Sequence, residues 1–360
     1  MARESSLDIF RGLTLAAMIL VNTPGSWSHV YAPFLHAKWH GLTPTDVIFP
    51  FFLFIVGAAM FHSLRRIPHG QIPWAKIAKR TLLLFAIGFL LNIFPFNDPP
   101  ANWRVMGVLQ RIALCYGLGA LLILSLSRRA LWLVSLVILL GYWLIMLSAQ
   151  DPWTLEGNLV RQVDIGLFGA SHLYQGFGVP FDPEGLLSCL PATVSLLMGY
   201  LTSDKLARCY TSEAKLRTLV SWALLALIAG LFWHPLQPIN KSLWTGSYVL
   251  VTSALAWLVL AGILYLHDVR KWHNGFTWAQ IYGSNPLFIY VLSWLFAATL
   301  AELIYLPVNG QWQSAYQLGF MALSSVLPVK LASLAFALVI VWLFYLLSRH
   351  LHRRNIFIKL

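Results

Sequence analysis

Charge is scarce in this chain: Asp, Glu, Lys and Arg make up 11% of its 360 residues, against 58% hydrophobic. Soluble domains spend about a quarter of their residues on charge, so a water-solvated globule with one core is excluded. Cysteine is sparse as well. Cys115, Cys189 and Cys209 lie in or beside apolar stretches without paired spacing, which excludes a disulfide framework or a zinc knuckle and leaves them as packing residues. Acidic residues number 13 against 25 Lys and Arg, for a formal charge of +12. That excess does not indicate nucleic acid, which needs a basic face or stripe. Here the basic residues sit in short runs between apolar segments, and no nucleic-acid partner is expected. Tandem repeats, low-complexity tracts and a separate soluble domain are also lacking, so residues 1–360 read as a single membrane domain.

What the chain does have is apolar length. Runs long enough to cross a bilayer fall near 7–21, 46–63, 79–94, 105–125, 131–147, 185–201, 219–236, 245–266, 279–300 and 331–347. This predicts an all-α, polytopic membrane protein with about ten transmembrane helices and membrane lipid as its solvent. The first run continues without a small-residue cleavage site, so it is expected to stay as the first helix and not be removed as a signal peptide. Orientation follows from the Lys/Arg bias of short loops. Arg3, the five basic residues from Arg65 to Arg80, Arg128 and Arg129, the stretch from Lys205 to Arg217, Arg270 and Lys271, and the tail from Arg349 through Lys359 share one side. The other side keeps Lys38, Arg104, Arg161, Lys241 and, marginally, Lys330. Both termini are therefore predicted to be cytoplasmic. The far-side loops 22–45 and 148–184 are long and dense in Trp, His, Asp, Gly and Pro, which suits a folded cap that carries function.

Ionisable groups inside spans are costly and are functional candidates by default. Asp8 and Arg11, three apart on the first helix, can pair on one face. Asp46 opens the second span and Arg111 lies near the outer end of the fourth. They suit either a mutual salt bridge or, for the arginine, a bidentate grip on phosphate or carboxylate. The first outer loop reads His36-Ala-Lys-Trp39-His40-Gly-Leu-Thr-Pro-Thr-Asp46, with His29 upstream. His36 and His40 at helical spacing with Asp46 could ligate a metal, but Gly41 and Pro44 break the segment, no HExxH-like base accompanies it, and no metal is expected. Acyl transfer with histidine as nucleophile or general base needs a neutral imidazole and an orienting partner, which Asp46 could supply. An interfacial histidine without a chemical task fits the loop equally well. Two further polar concentrations, Asn240-Lys241-Ser-Leu-Trp244-Thr-Gly246-Ser247-Tyr248 and Gly283-Ser284-Asn285-Pro286, suit close helix packing or a broken helix.

The strings Ser6-Leu-Asp-Ile-Phe-Arg-Gly12, Val21-Asn22, His36-Ala-Lys-Trp39, Asp46-Val-Ile-Phe-Pro50, Gly107-Val-Leu-Gln-Arg111, Asp182-Pro-Glu-Gly185 and Pro238 through Tyr248 keep their order along nearly the whole chain. Together they resemble the heparan-α-glucosaminide N-acetyltransferase family, including its bacterial members. The resemblance implies a multi-pass acyltransferase of the bacterial cytoplasmic (inner) membrane. Acetyl-CoA on the cytoplasmic side would donate its acetyl group to the amine of glucosamine or a related amino sugar on the far side. His36 matches the family's active-site histidine, and Asn22 an asparagine credited with a role beside it.

On that reading His36, Asn22 and Asp46 are the expected catalytic residues: an imidazole nucleophile or base, an oxyanion donor and a tautomer anchor. Arg11, Arg111, Asn240, Lys241, Trp244, Ser247 and Tyr248 are expected to hold the CoA co-substrate. Trp39, His40, Asp182, Glu184 and Asn285 are expected to line the acceptor site. A homodimer is compatible with this reading. Two rival functions fit the same span pattern: a secondary transporter for amino sugars and an O-acetyltransferase of surface polysaccharide.

Overall fold

An apolar run in lipid must close its backbone hydrogen bonds internally, and a helix does so locally. The computed structural model describes residues 5–68, 70–308 and 310–358; Arg3 and Lys359, used above for orientation, lie outside the described residues. The helices are α1 (Ser5–Asn22), α2 (Ile48–Leu64), α3 (Trp74–Ile93), α4 (Val108–Ser125), α5 (Arg128–Met146) and a short α6 (Leu159–Phe168). They continue as α7 (Cys189–Leu206), α8 (Ser212–Trp233), α9 (Gly246–Leu264), a short α10 (Thr277–Tyr282) and α11 (Pro286–Glu302). After a hairpin of β1 (Tyr305–Val308) and β2 (Gln311–Ser314) come α12 (Ala315–Ser324) and α13 (Val329–Arg353). Several starts are written in the sequence. Ser127, Asn158 and Thr211 each accept a hydrogen bond from the backbone N–H three residues on, capping α5, α6 and α8.

Seven helices among the described residues are long and apolar enough to cross a membrane. An eighth span arises if α10 and α11, which meet at a 70° bend, count as one. The break falls at Gly283-Ser284-Asn285-Pro286, where Pro286 opens α11, so that polar cluster marks a broken helix. The expected spans 79–94 and 185–201 are helical as α3 and α7. Lys76, Lys79 and Arg80 near the start of α3, and Asp204 and Lys205 at the end of α7, make these two less apolar than the rest. The protein is thus a multi-pass helical membrane protein with seven or eight such spans, against about ten expected. The all-α expectation also missed the antiparallel hairpin, which pairs Tyr305 with Ser314 and turns through Gly310 at φ +78°.

Lipid tails offer helices no hydrophobic reason to associate, so close backbone packing has to supply the contact. The crossing of α2 and α7 is built that way. A Cβ on Gly57 would lie 1.8 Å from the Leu196 carbonyl oxygen, and one on Gly199 would lie 1.8 Å from that of Phe54. The two glycines are reciprocal, and any side chain at either would force the helices apart. Around this pair α2 and α4 are 67% buried, whereas α8 is 22% buried and turns Leu224, Leu225, Ile228 and Phe232 outward. The centre of the bundle therefore lies at α2, α4 and α7, with α8 on the lipid side.

At the end of the bundle where α2 begins, the loops before α2, between α5 and α7, and between α8 and α9 converge. A second small core forms there from Tyr142, Met146, Val160, Phe181 and Leu243, with Trp39, Trp153 and Phe177 packed against it. This is the folded cap that the two long loops predicted.

Candidate active site

Thr43-Pro44-Thr45-Asp46 carries a capping pattern: a Thr at the cap, Pro at the first helical position and a carboxylate three residues on. It folds accordingly as a 3₁₀ turn leading into α2. Asp46 Oδ2 accepts from the Thr43 backbone N–H at 3.0 Å, the Thr43 hydroxyl at 2.9 Å and the Ala37 N–H at 3.0 Å. The carboxylate is buried and fixed, and its other oxygen, Oδ1, lies 2.7 Å from His36 Nδ1. An ionised carboxylate only accepts, so Nδ1 carries the proton and Nε2 is left with its lone pair. The His36 side chain is 51% exposed, so that lone pair can be reached.

Lys241 completes the cluster. Its Nζ is 3.0 Å from His36 Nδ1, 3.2 Å from Nε2 and 3.8 Å from Asp46 Oδ1. Burial pulls the Lys241 amine below the usual lysine range, and the Asp46 carboxylate opposes this only in part. A carboxylate, an imidazole and an amine therefore stand in mutual contact, contributed by two loops about 200 residues apart in sequence.

Neighbouring groups lock the two loops together. Gly41, at φ +110°, donates its N–H to the Ile239 carbonyl at 2.8 Å. Asn240 Nδ2 donates to the Trp39 carbonyl at 3.0 Å and lies 3.3 Å from His40 Nδ1, while Asn240 Oδ1 accepts from the Leu243 N–H. Trp39 donates its indole N–H to the Trp153 carbonyl at 2.7 Å and packs edge-to-face on Phe181. Tyr248 donates its hydroxyl to the Asp46 backbone carbonyl at 2.7 Å. Ser247 turns away to the Gln237 carbonyl. Asn240, Trp39, His40 and Tyr248 thus surround the cluster as supports.

The salt bridge of Asp46 with Arg111 does not form. Asp46 is already satisfied by loop donors and His36, while Arg111 reaches across to the start of α7, where Nη2 donates to the Ser188 hydroxyl and to the Gly185 carbonyl at 3.2 Å. Its guanidinium lies 4.9 Å over the Trp244 ring. The Arg111 side chain is fully buried, and its Nε and Nη1 have no hydrogen-bond partner among the described residues. Trp244 is itself unusual, a buried aromatic residue held at φ +52°. Such backbone conformations persist only where the surroundings fix them, and they concentrate at functional sites.

Asp182 and Glu184, expected to face an acceptor, are occupied by Arg104. That guanidinium takes both Asp182 oxygens at 2.8 Å and Glu184 Oε2 at 2.6 Å. Burial acts to lower its pKa, but the two carboxylates prevail and raise it. Behind them Asp164 is buried on α6. One of its oxygens accepts from the Leu186 N–H at 3.0 Å, and the other has no partner among the described residues. Burial, reinforced by the Asp182 charge, pushes the Asp164 carboxyl up to about 7.

Three expected site residues lie elsewhere. Asn22 lines a separate cavity of about 950 Å³ between α1, α11, the hairpin and α12. Arg11 sits eleven residues before Asn22, roughly 16 Å along α1 at helical rise. It pairs there with Asp8 at 3.0 Å, as their spacing predicted. Asn285 holds the C-terminal segment, donating to the Ile356 carbonyl and accepting from the Ile358 N–H. Thr43, Arg104, Asp164 and Ser188 were missed by sequence reasoning. The capping pattern at Thr43 was a usable signal; nothing local distinguishes the other three. Beside the cluster an apolar slot of about 230 Å³ runs between α1, α2 and α9, lined by Phe10, Thr14, Phe34, Thr45 and Val259.

Fold and site together define a polytopic helical membrane protein with a carboxylate–imidazole–amine cluster under an extramembrane cap. Residues 3–178 match the family described as heparan-alpha-glucosaminide N-acetyltransferase, catalytic. The chain is 28% identical to heparan-alpha-glucosaminide N-acetyltransferase of Homo sapiens, over 80% of this chain and 52% of that protein. It is 27% identical to the Mus musculus protein of the same name, over 80% and 53%. It resembles this family through its first half, and it spans about half the length of the curated relatives it matches.

Proposed function

We propose that this protein is a transmembrane N-acetyltransferase that moves an acetyl group from acetyl-CoA to the amine of glucosamine or a related amino sugar. The observation that carries the reading is the Asp46–His36–Lys241 cluster beside the apolar slot, in a chain whose relatives are named heparan-alpha-glucosaminide N-acetyltransferase. Thr45 lines the slot and adjoins Asp46, so a thin, mostly apolar chain such as the pantetheine arm of CoA, lying there, would bring its thioester toward His36.

Asp46 holds the Nδ1–H tautomer, leaving the Nε2 lone pair as the reactive group. In a two-step transfer Nε2 bonds to the acetyl carbonyl carbon, the C–S bond breaks, and the CoA sulfur leaves as a thiolate that takes a proton from the Lys241 ammonium. The amine then attacks the acetyl-imidazole, its surplus proton passes to Lys241, and His36 is regenerated. In a direct transfer the amine nitrogen bonds to the thioester carbonyl carbon while Nε2 accepts its proton, the C–S bond breaks, and the CoA thiolate leaves with a proton returned through His36 and Lys241. Both routes assign Lys241 to proton traffic at His36, in place of the CoA contact expected for it. Arg111, with two unpartnered N–H-bearing nitrogens over Trp244, has hydrogen-bonding capacity left for a polar group of either substrate. Asn22 lines the separate cavity between α1, α11 and α12 and has no hydrogen bond to His36 among the described residues, so neither route uses it as an oxyanion donor.

We place both termini in the cytoplasm and the protein in a bacterial inner membrane, on the Lys/Arg bias of the loops. The cap and His36 then face away from the cytoplasm. The test is acetyl transfer from labelled acetyl-CoA to glucosamine in proteoliposomes. N-acetylated product is expected, and His36→Ala should lower turnover by at least about a thousandfold while the protein stays folded. Glucosamine carried across unchanged would indicate a transporter, an alkali-labile product an O-acetyltransferase, and full turnover by His36→Ala would remove His36 from the chemistry.

A further inference from the structure

At the end of the bundle opposite His36, where α2, α4 and α7 finish and α5 begins, a cavity of about 1050 Å³ opens. Arg65, Arg128, Arg129, Lys205 and Arg208 line it, with Asp204 as its one carboxylate. Asp204 engages both Arg128, at 3.0 Å, and Arg208, fixing two guanidinium groups at the rim. Arg129 and Lys205 make no ion pair among the described residues. Below the charges the walls are apolar, formed by Leu64, Ile123, Leu124 and Leu131, and at the side Trp132 meets Trp222 edge-to-face at 5.4 Å.

Cations at helix C-termini answer the partial negative charge there, about half a unit for each helix. Three C-termini and Asp204, set against the N-terminus of α5, neutralise about two of the four cations other than Arg65. About two positive charges remain over an apolar-walled opening flanked by tryptophans, the side chains that anchor proteins at the headgroup level. A soluble anion needs no apolar wall. A phospholipid needs both parts, charge for its phosphate and apolar surface for its acyl chains.

We propose that this cavity binds the phosphate headgroup of an anionic phospholipid, with Arg129 and Lys205 as its free cations and the Asp204-held Arg128 and Arg208 as its fixed ones. The proposal does not depend on the acetyl-transfer reading. The test uses the full chain in detergent with added phosphatidylglycerol, cardiolipin or phosphatidylcholine, read by retained lipid in native mass spectrometry and by thermal shift. Parallel arms with inorganic phosphate and adenosine 3′,5′-diphosphate represent soluble phosphate. Anionic lipids should be retained and stabilising, phosphatidylcholine and the soluble phosphates not. Each of Arg129→Gln and Lys205→Gln should weaken retention about fivefold, and the double variant about thirtyfold, at roughly one membrane-surface charge interaction each. Arg129→Lys should keep most of it, which controls for folding. Equal retention by the double variant and the parent would overturn the proposal, as would a shift by either soluble phosphate matching that of the lipids.

Discussion

The Asp46→Asn variant isolates what the carboxylate does, because it changes one atom and almost no volume. Asp46 Oδ2 accepts three loop donors and Oδ1 faces His36 at 2.7 Å. An asparagine can keep its oxygen toward the three donors, since reversing it would set its N–H groups against two backbone N–H groups and a hydroxyl. Its amide then presents N–H to His36 Nδ1. The ring must accept at Nδ1, so its proton moves to Nε2, where it also meets Lys241 Nζ at 3.2 Å. The lone pair needed at Nε2 is gone in the favoured tautomer. Loss of tautomer control in a buried Asp–His pair costs about 10⁴ in kcat where it has been isolated in a hydrolase triad, about 5 kcal/mol of barrier. His36 is half exposed here and can re-tautomerise through water, so the expected loss is about 10³, or roughly 4 kcal/mol. Initial rates with acetyl-CoA and glucosamine in proteoliposomes would measure it, with the thermal transition as a folding control and KM for both substrates recorded. The loss should fall on kcat. A correctly folded Asp46→Asn protein within about tenfold of the parent rate would refute the reasoning, because the imidazole would then work without a fixed tautomer.

Two further perturbations probe the surrounding charges. Lys241→Gln should lower kcat by about a hundredfold with little change in KM for acetyl-CoA, since Nζ lies on the His36 ring; a large rise in that KM with kcat intact would return Lys241 to the CoA-binding role. Asp164→Asn should stabilise the protein more at pH 8 than at pH 5 in thermal unfolding. The Asp164 carboxyl is raised from its ordinary 3.8 to about 7, so its contribution is fully present below pH 4 and is lost as pH rises through 7, by up to about 4 kcal/mol. The amide removes that charge and keeps the acceptor for Leu186; a gain independent of pH would show that Asp164 is not protonated in the folded protein.

Much of this site was legible because local physics fixed it. Thr43-Pro44-Thr45-Asp46 is a helix start in any context, and its carboxylate had to point back into the loop that carries His36. The Asp8–Arg11 pair and the break at Gly283–Pro286 were equally local, set by helical spacing and by proline. What could not be read were partners chosen by tertiary packing. Asp46 and Arg111 are both buried charges near one membrane face, and it is the packing of α4 beside the start of α7 that gives Arg111 the Ser188 hydroxyl and the Gly185 carbonyl instead. Asp182 and Glu184 looked available because their cation, Arg104, lies nearly eighty residues away. The span count differed at α3 and α7 for a related reason. The deeply buried α7 rests on other helices and can carry Thr193, Ser195, Thr202, Ser203 and Asp204 without facing lipid, so its sequence is less apolar than that of a lipid-facing helix such as α8.

The family match ends at residue 178, yet the cluster depends on residues well beyond it. His36, Asp46 and Arg111 come from the matched part, whereas Asn240, Lys241, Trp244 and Tyr248 come from the segment that leads into α9. The position of His36 is therefore set by how α2 and α9 sit against each other. Tyr248 holds the Asp46 carbonyl from α9, and Asn240 and Ile239 hold Trp39 and Gly41 just before it. The apolar slot lies along this same seam, with Phe51 of α2 and Val259 of α9 among its walls. On the proposed function, a chain entering the slot would press on the two helices whose spacing fixes the contact of Lys241 Nζ with His36 Nε2, which at 3.2 Å already lies near the outer edge of hydrogen-bond distance. Occupancy of the slot and the reactivity of His36 would then be coupled through the packing of α2 on α9, with no need for a moving loop.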